Sequence, residues 1–183
     1  MNQSSYIILG AGASGLLLAY RMSLDCYFDD KSILIIDQVK DKGNDKTWCY
    51  WEDGEGEWDE LLTKKWPKVF FGSKDFTETL DISPYSYKMI RSEKFYHKLW
   101  RSIELKSNIT FVEDSVKTYT EIDNRVKVVT NKSTYFGLKL LNSILDKTVY
   151  ETQQKYPVLQ QHFVGWFVKT KTDCFDDSIA TFM

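Results

Sequence analysis

Tyr6-Ile7-Ile8-Leu9-Gly10-Ala11-Gly12-Ala13-Ser14-Gly15-Leu16-Leu17-Leu18-Ala19-Tyr20 is the stretch on which the fold turns. Its first four residues are an apolar run of β-formers and read as a buried strand. Three glycines follow in the pattern GxGxxG, at Gly10, Gly12 and Gly15. Leu16 to Met22 then read as a helix packed on a sheet, and Ser32 to Ile36 as a second buried strand ending at Asp37. Strand, glycine turn, helix, strand and acid form one βαβ unit, the context that gives GxGxxG its meaning. Gly10 allows the tight turn, Gly12 lets a pyrophosphate approach the backbone, and Gly15 lets the helix pack closely on the strand. With Ala11, Ala13 and Ser14 they bring free amides and the positive end of a helix dipole to a phosphate. Asp37, about 20 residues on, suits a carboxylate that accepts hydrogen bonds from ribose hydroxyls and disfavours a 2′-phosphate.

The motif alone does not separate FAD from NAD. The long segment after the second strand does favour FAD, because NAD dehydrogenases repeat βαβ units with short connections. Gln38 to Trp66 reads as polar and loop-like, yet it carries Trp48, Tyr50, Trp51, Trp58 and Trp66. A loop of that length is usually functional or disordered, and the tryptophans favour function. Lys68–Gly72 and Phe76–Ile82 read as a hairpin, and Tyr85–Arg91 as a further strand. Ser92 is the expected N-cap of a helix through Ile103, with Phe95, Leu99 and Ile103 as its buried stripe. Ile109–Val112, Ser115–Glu121 and Arg125–Thr130 are strand-like, with Asp123-Asn124 as a turn. The expected class is α/β: a Rossmann-like FAD-binding domain over residues 1–145, with an insertion at about 66–90. A β-rich substrate-binding domain begins at 146–183 and is cut short.

Composition narrows the function classes. The 183 residues are 43% hydrophobic and 27% charged, as in an ordinary globular domain. A net charge of −2 lacks the basic excess of a nucleic-acid binder. Three scattered cysteines contain no CxxC pair, so neither a zinc site nor a disulfide framework is indicated, and reduced thiols fit a cytoplasmic protein. No apolar run approaches the ~20 residues of a membrane-spanning helix, so membrane contact would be peripheral. Aromatic residues make up 15% of the chain, enough to line a pocket as well as fill a core.

Several segments carry a more specific likeness. Asn44-Asp45-Lys46-Thr47-Trp48-Cys49-Tyr50-Trp51 resembles the tryptophan signature that follows the second strand in lycopene cyclases. Lys65-Trp66-Pro67, Tyr85-Ser86-Tyr87 and Ser92-Glu93-Lys94-Phe95 resemble further segments of that family, as does Leu159-Gln160-Gln161-His162-Phe163-Val164-Gly165-Trp166. Cys174 to Met183 continues the match. The resemblance implies a lycopene β-cyclase of carotenoid biosynthesis, a peripheral membrane enzyme. It holds FAD in reduced form, with NAD(P)H as reductant, and isomerises without net redox change. An end group of lycopene is protonated, the cation closes a ring, and a proton leaves.

In that frame Trp48, Trp51 and Trp166 are candidates for lining an apolar substrate pocket, with ordinary packing as the alternative. Glu52, Asp53 and His162 are candidate proton carriers, against solvated acids and a hydrogen-bonded structural histidine. The resemblance also implies that the proton donor, an acidic motif, and a second glycine-rich segment lie beyond Met183. Where the family shows Asp-Ala/Ser-Arg, this chain reads Leu140-Leu141-Asn142-Ser143-Ile144. The open alternatives are another FAD-dependent oxidoreductase or monooxygenase, and a dinucleotide-binding fragment without catalysis.

Overall fold

A computed structural model describes residues 3–145, 151–152, 154–159 and 165–183. The chain begins with β1 (Gln3–Leu9), α1 (Ala13–Leu24), β2 (Ile33–Asp37), β3 (Thr47–Asp53), β4 (Leu62–Trp66), β5 (Lys68–Gly72) and β6 (Thr77–Asp81). It continues with β7 (Tyr85–Arg91), α2 (Ser92–Ile103), β8 (Ile109–Glu113), β9 (Val116–Ile122), β10 (Arg125–Thr130), β11 (Thr134–Asn142) and β12 (Ile179–Phe182). Two compact units result: Met1–Trp48 with Ile90–Ile144, and Cys49–Met89 with Leu145–Met183.

The first unit is built on a six-stranded sheet in the order β8-β2-β1-β11-β10-β9. β8, β2, β1 and β11 run parallel, with Tyr6 opposite Ile33 and Lys139. Both faces of the central β1 and β2 are covered, so Ile7–Leu9 and Ile33–Ile36 read as unbroken apolar runs rather than alternating ones. Ile7, Ile8, Leu9, Ile35 and Ile36 are accordingly fully buried. Ile7, Leu9, Leu34 and Ile36 pack with Val128 and Tyr135 in one core cluster. α1 and α2 pack on each other, and the expected stripe of α2, Phe95, Leu99 and Ile103, is buried. β10 pairs antiparallel with β9 and β11. Asp123 and Asn124, at φ 50° and 58°, make the β9–β10 turn, the pair of left-handed residues that a tight hairpin favours.

The second unit contains two three-stranded sheets, β12-β5-β6 and β3-β7-β4. The hairpin expected from Lys68 onward is present, with Val69 opposite Leu80. β12 pairs parallel with β5. The reading of Gln38 to Trp66 as loop is corrected: Thr47–Asp53 and Leu62–Trp66 are strands flanking β7. Aromatic and polar residues fall on both faces of β3, so no apolar alternation marks it as a strand.

The start of α2 also differs from expectation. Ser92 is the first helical residue, not the cap, and its hydroxyl donates to the Gly43 carbonyl (3.0 Å) and accepts from Lys46 N–H (3.1 Å). The capping is done by Asn44, far away in sequence. Its side chain accepts from Glu93 N–H (3.2 Å) and donates to the Glu93 carboxylate (2.7 Å).

Candidate functional site

The β1–α1 corner is shaped by backbone. Gly10 sits at φ +92°, a conformation that favours glycine, and its N–H donates to the Ile36 carbonyl (2.9 Å). A Cβ on Gly15 would collide with the Gly10 carbonyl oxygen, so helix and turn can close up only without a side chain there. A Cβ on Gly12 would meet nothing within 4 Å. The corner is therefore tight on its inner side and open on its outer side, at the place where a phosphate would arrive. α1 begins at Ala13 with no side-chain cap and no acid in its first turn. Its first internal bond is Leu16 N–H to Gly12 O (2.9 Å), leaving the preceding amides outside the helix ladder. An unneutralised helix start of this kind suits an anion.

Gly10, Gly12, Ala13, Ser14 and Asp37 line one cavity of about 460 Å³ in the first unit. Ala11 binds Asp37 directly: its N–H donates to one carboxylate oxygen. The other oxygen accepts from Val39 N–H (3.2 Å) and from Lys42 Nζ (2.9 Å). Burial alone would raise the Asp37 pKa. The Ala11 amide, the Lys42 ammonium and the Val39 amide outweigh it and hold the carboxyl below its ordinary value. Asp37 is thus an oriented anion beside the turn, with a carboxylate's acceptor capacity not exhausted by three donors.

Sequence reasoning missed several residues of this cavity. Lys42, Asp45, Tyr96, Asp114 and Ser143 also line it. Tyr96 is buried, and its phenol is pushed up to about 12, first by burial and then by the Asp45 carboxylate. Asp114 accepts from Ser115 N–H (2.8 Å) and Lys132 N–H (3.1 Å), fixing the strand ends beyond β8. Ser143, in the segment that departs from the family pattern, donates to the Leu9 carbonyl (2.8 Å) and lies against Gly10. Lys42 and Asp45 come from the loop after β2, Tyr96 from within α2, and Asp114 and Ser143 from just past the ends of β8 and β11, so the cavity is assembled from segments that no single motif spans.

The tryptophan candidates separate. Trp48 lines the same cavity and packs edge-on against Phe95 and Tyr96, with centroids 5.5 and 5.8 Å away. Trp51 belongs to the second unit, on Tyr87 at 4.7 Å. Trp166 is 86% exposed. Glu52 is not a free acid: its carboxylate accepts from Lys88 Nζ (2.8 Å). Lys88 is wholly buried and also donates to Asp59 (2.6 Å) and the Gly54 carbonyl (3.0 Å). Burial would lower its pKa, but Asp59 and Glu52 raise it, so the ammonium stays charged. The ion pair gives Glu52 the place of a counter-ion to the buried Lys88. Asp53 is exposed, and His162 lies outside the described residues.

The parallel sheet, the glycine corner and the acid at the end of β2 define a Rossmann-like α/β protein. Three solved structures illustrate the likeness. NikD, an unusual amino acid oxidase essential for nikkomycin biosynthesis, matches at TM-score 0.60 and 11% identity over 78% of this chain and 51% of its own. p-Nitrophenol 4-monooxygenase PnpA from Pseudomonas putida DLL-E4 matches at 0.60 and 12%, over 78% and 41%. Halogenase PltM, solved with phloroglucinol and FAD, matches at 0.52 and 10%, over 77% and 34%. The chain thus spans about half or less of the length of these structures, and the likeness is one of fold. No curated protein matches the sequence. The chain belongs to the lycopene cyclase protein family, whose model matches residues 6–183.

Proposed function

We propose that this chain is the cofactor-holding part of a lycopene β-cyclase that isomerises lycopene end groups to β-ionone rings without net redox change. The observation that carries the cofactor side is the corner open at Gly12, over the uncapped start of α1, with Asp37 lining the same cavity. Those features fit the diphosphate and adenosine ribose of FAD. The amides at the start of α1, of Ala13, Ser14 and Gly15, would hold the phosphates, and Asp37, oriented by Ala11, Val39 and Lys42, would accept from the ribose hydroxyls. When bound in reduced form, with NAD(P)H as reductant, the flavin would supply an electron-rich ring system to the reaction. Family membership over residues 6–183, well beyond the nucleotide corner, supports the substrate assignment.

The reaction adds one proton to an end group and removes one from the ring, so substrate and product are isomers. No helix among the described residues is long and apolar enough to cross a membrane. The reading therefore has the cytoplasmic protein meet its membrane-dissolved substrate peripherally. The test is turnover of lycopene in liposomes by the full-length flavin-loaded protein in deuterated water. The expected product carries one solvent deuteron per ring, with reductant use far below stoichiometric. Stoichiometric consumption of NAD(P)H or oxygen would contradict the reading and point to a monooxygenase or oxidase.

A further inference from the structure

The sheet β3-β7-β4 has two unlike faces. Alternation along β3 and β7 sends Tyr50, Glu52 and Lys88 to one side and Cys49, Trp51 and Tyr87 to the other. The first side is a charged clamp, with Lys88 closed in by Glu52, Asp59 and Gly54. The second is a contiguous aromatic array. Trp51 lies on Tyr87 (4.7 Å) and stacks with Phe182 (6.1 Å, 19°). Phe182 stacks in turn on Phe71 (5.1 Å, 19°), and Trp66 on Tyr87 (5.7 Å, 29°). Five strands of the second unit, β3, β4, β5, β7 and β12, each contribute one ring. Trp51 remains 48% exposed and Phe71 37%, so the array opens to its surroundings.

We infer that this aromatic face, centred on Trp51, Tyr87 and Phe182, holds the hydrocarbon chain of the polyene substrate. The inference rests on the cyclase reading above and locates its substrate surface. A linear polyene has neither charge nor hydrogen-bonding groups, so a site for it must offer apolar area without stranding polar atoms. The array does so: its Trp51 and Tyr87 rings lie on the face of the sheet opposite the Lys88 clamp, where the charges of Glu52, Asp59 and Lys88 are paired with one another. The cation nearest in strand order, Lys88, points through to the opposite face and is sealed there. Trp51 and Phe71 each stack on Phe182 at 19° and present flat faces that match a flat conjugated chain, while Tyr87 stands tilted to Phe182 at 60°. Of the tryptophan candidates, Trp51 belongs to the array, and the inference adds Tyr87, Phe182, Phe71 and Trp66 to it.

The test uses the full-length flavin-loaded protein and lycopene in phosphatidylcholine liposomes. Variants Trp51→Leu, Phe71→Leu and the double variant alter the most exposed rings, where folding is least at risk. The double variant is expected to retain about tenfold less lycopene and to show a correspondingly higher KM, with flavin content and Tm unchanged. Trp51→Phe, which keeps a ring, is expected to recover most of the retention. Wild-type retention in the folded double variant would overturn the placement. So would a change in oligomeric state in its stead, which would make the face a contact between copies. If the double variant does not fold, Phe71→Leu alone decides by the same criteria. A wild-type protein that keeps its flavin but retains no lycopene would overturn the cyclase reading itself.

Discussion

The nucleotide corner of the first unit and the two-faced sheet of the second prepare their surfaces by different means. At the corner the working parts are backbone: a left-handed Gly10, amides at the start of α1, and the absence of side chains at Gly12 and Gly15. In the sheet they are side chains from separate strands, a buried ammonium on one face and a row of rings on the other. Even the glycines of the two regions differ in task. Gly15 admits a neighbouring carbonyl, whereas Gly56 leaves room for the Glu52 carboxylate that neutralises Lys88, since a Cβ there would collide with it. A backbone device fails when a Cβ is added; a side-chain device fails when a partner is removed.

The largest effect is expected at the clamp. Lys88→Met leaves Glu52 and Asp59 without their buried cation and is expected to cost about 3–5 kcal/mol in urea unfolding. Glu52→Gln is expected to cost less, since Glu52 is partly exposed. A Glu52→Gln protein of unchanged stability that had lost cyclisation would return Glu52 to the role of proton carrier and break the comparison. At the corner, Gly15→Ala is expected to cost about 1–3 kcal/mol by overpacking the turn against α1, read as a lower Tm of the flavin-free protein.

The smallest effect is pH-dependent. The Asp37 carboxyl is held below its ordinary value, so its contribution to stability is present above about pH 4 and fades as pH falls through the folded-state value. Asp37→Asn is expected to flatten that acid limb of Tm against pH. An unchanged limb would mean that other carboxyls carry it.

These contrasts track what could be read from the chain. The corner was legible because its chemistry is local: three glycines and one acid at fixed spacing, between an apolar strand and an apolar helix. The structure brings Gly10, Gly12, Ala13, Ser14 and Asp37 to one cavity, with Ala11 bonded to Asp37. The stripe of α2 and the Asp123-Asn124 turn were legible for the same reason. β3 was not, because Trp48, Tyr50 and Glu52 alternate with Cys49, Trp51 and Asp53, leaving neither face apolar in the sequence. Lys88 was missed because a lysine between tyrosine and methionine reads as exposed. Its alternation with buried Ser86 and Ile90 was the available signal. Lys42 and Tyr96 enter the cavity of Gly10 and Asp37 through tertiary packing, which no spacing rule describes.

On the proposed reading, the outer side of the Gly12 corner is kept free for a diphosphate. This placement is tested most directly by FAD affinity, from flavin fluorescence, in the full-length wild type and Gly12→Val. Gly12 lies at φ −81° and ψ −171°, where valine is unstrained, and no atom waits within 4 Å of its Cβ. Valine is therefore expected to leave the Tm of the flavin-free protein unchanged while weakening FAD binding about a hundredfold, ~2.7 kcal/mol. Equal affinity in the two proteins would contradict the placement of the cofactor at this corner.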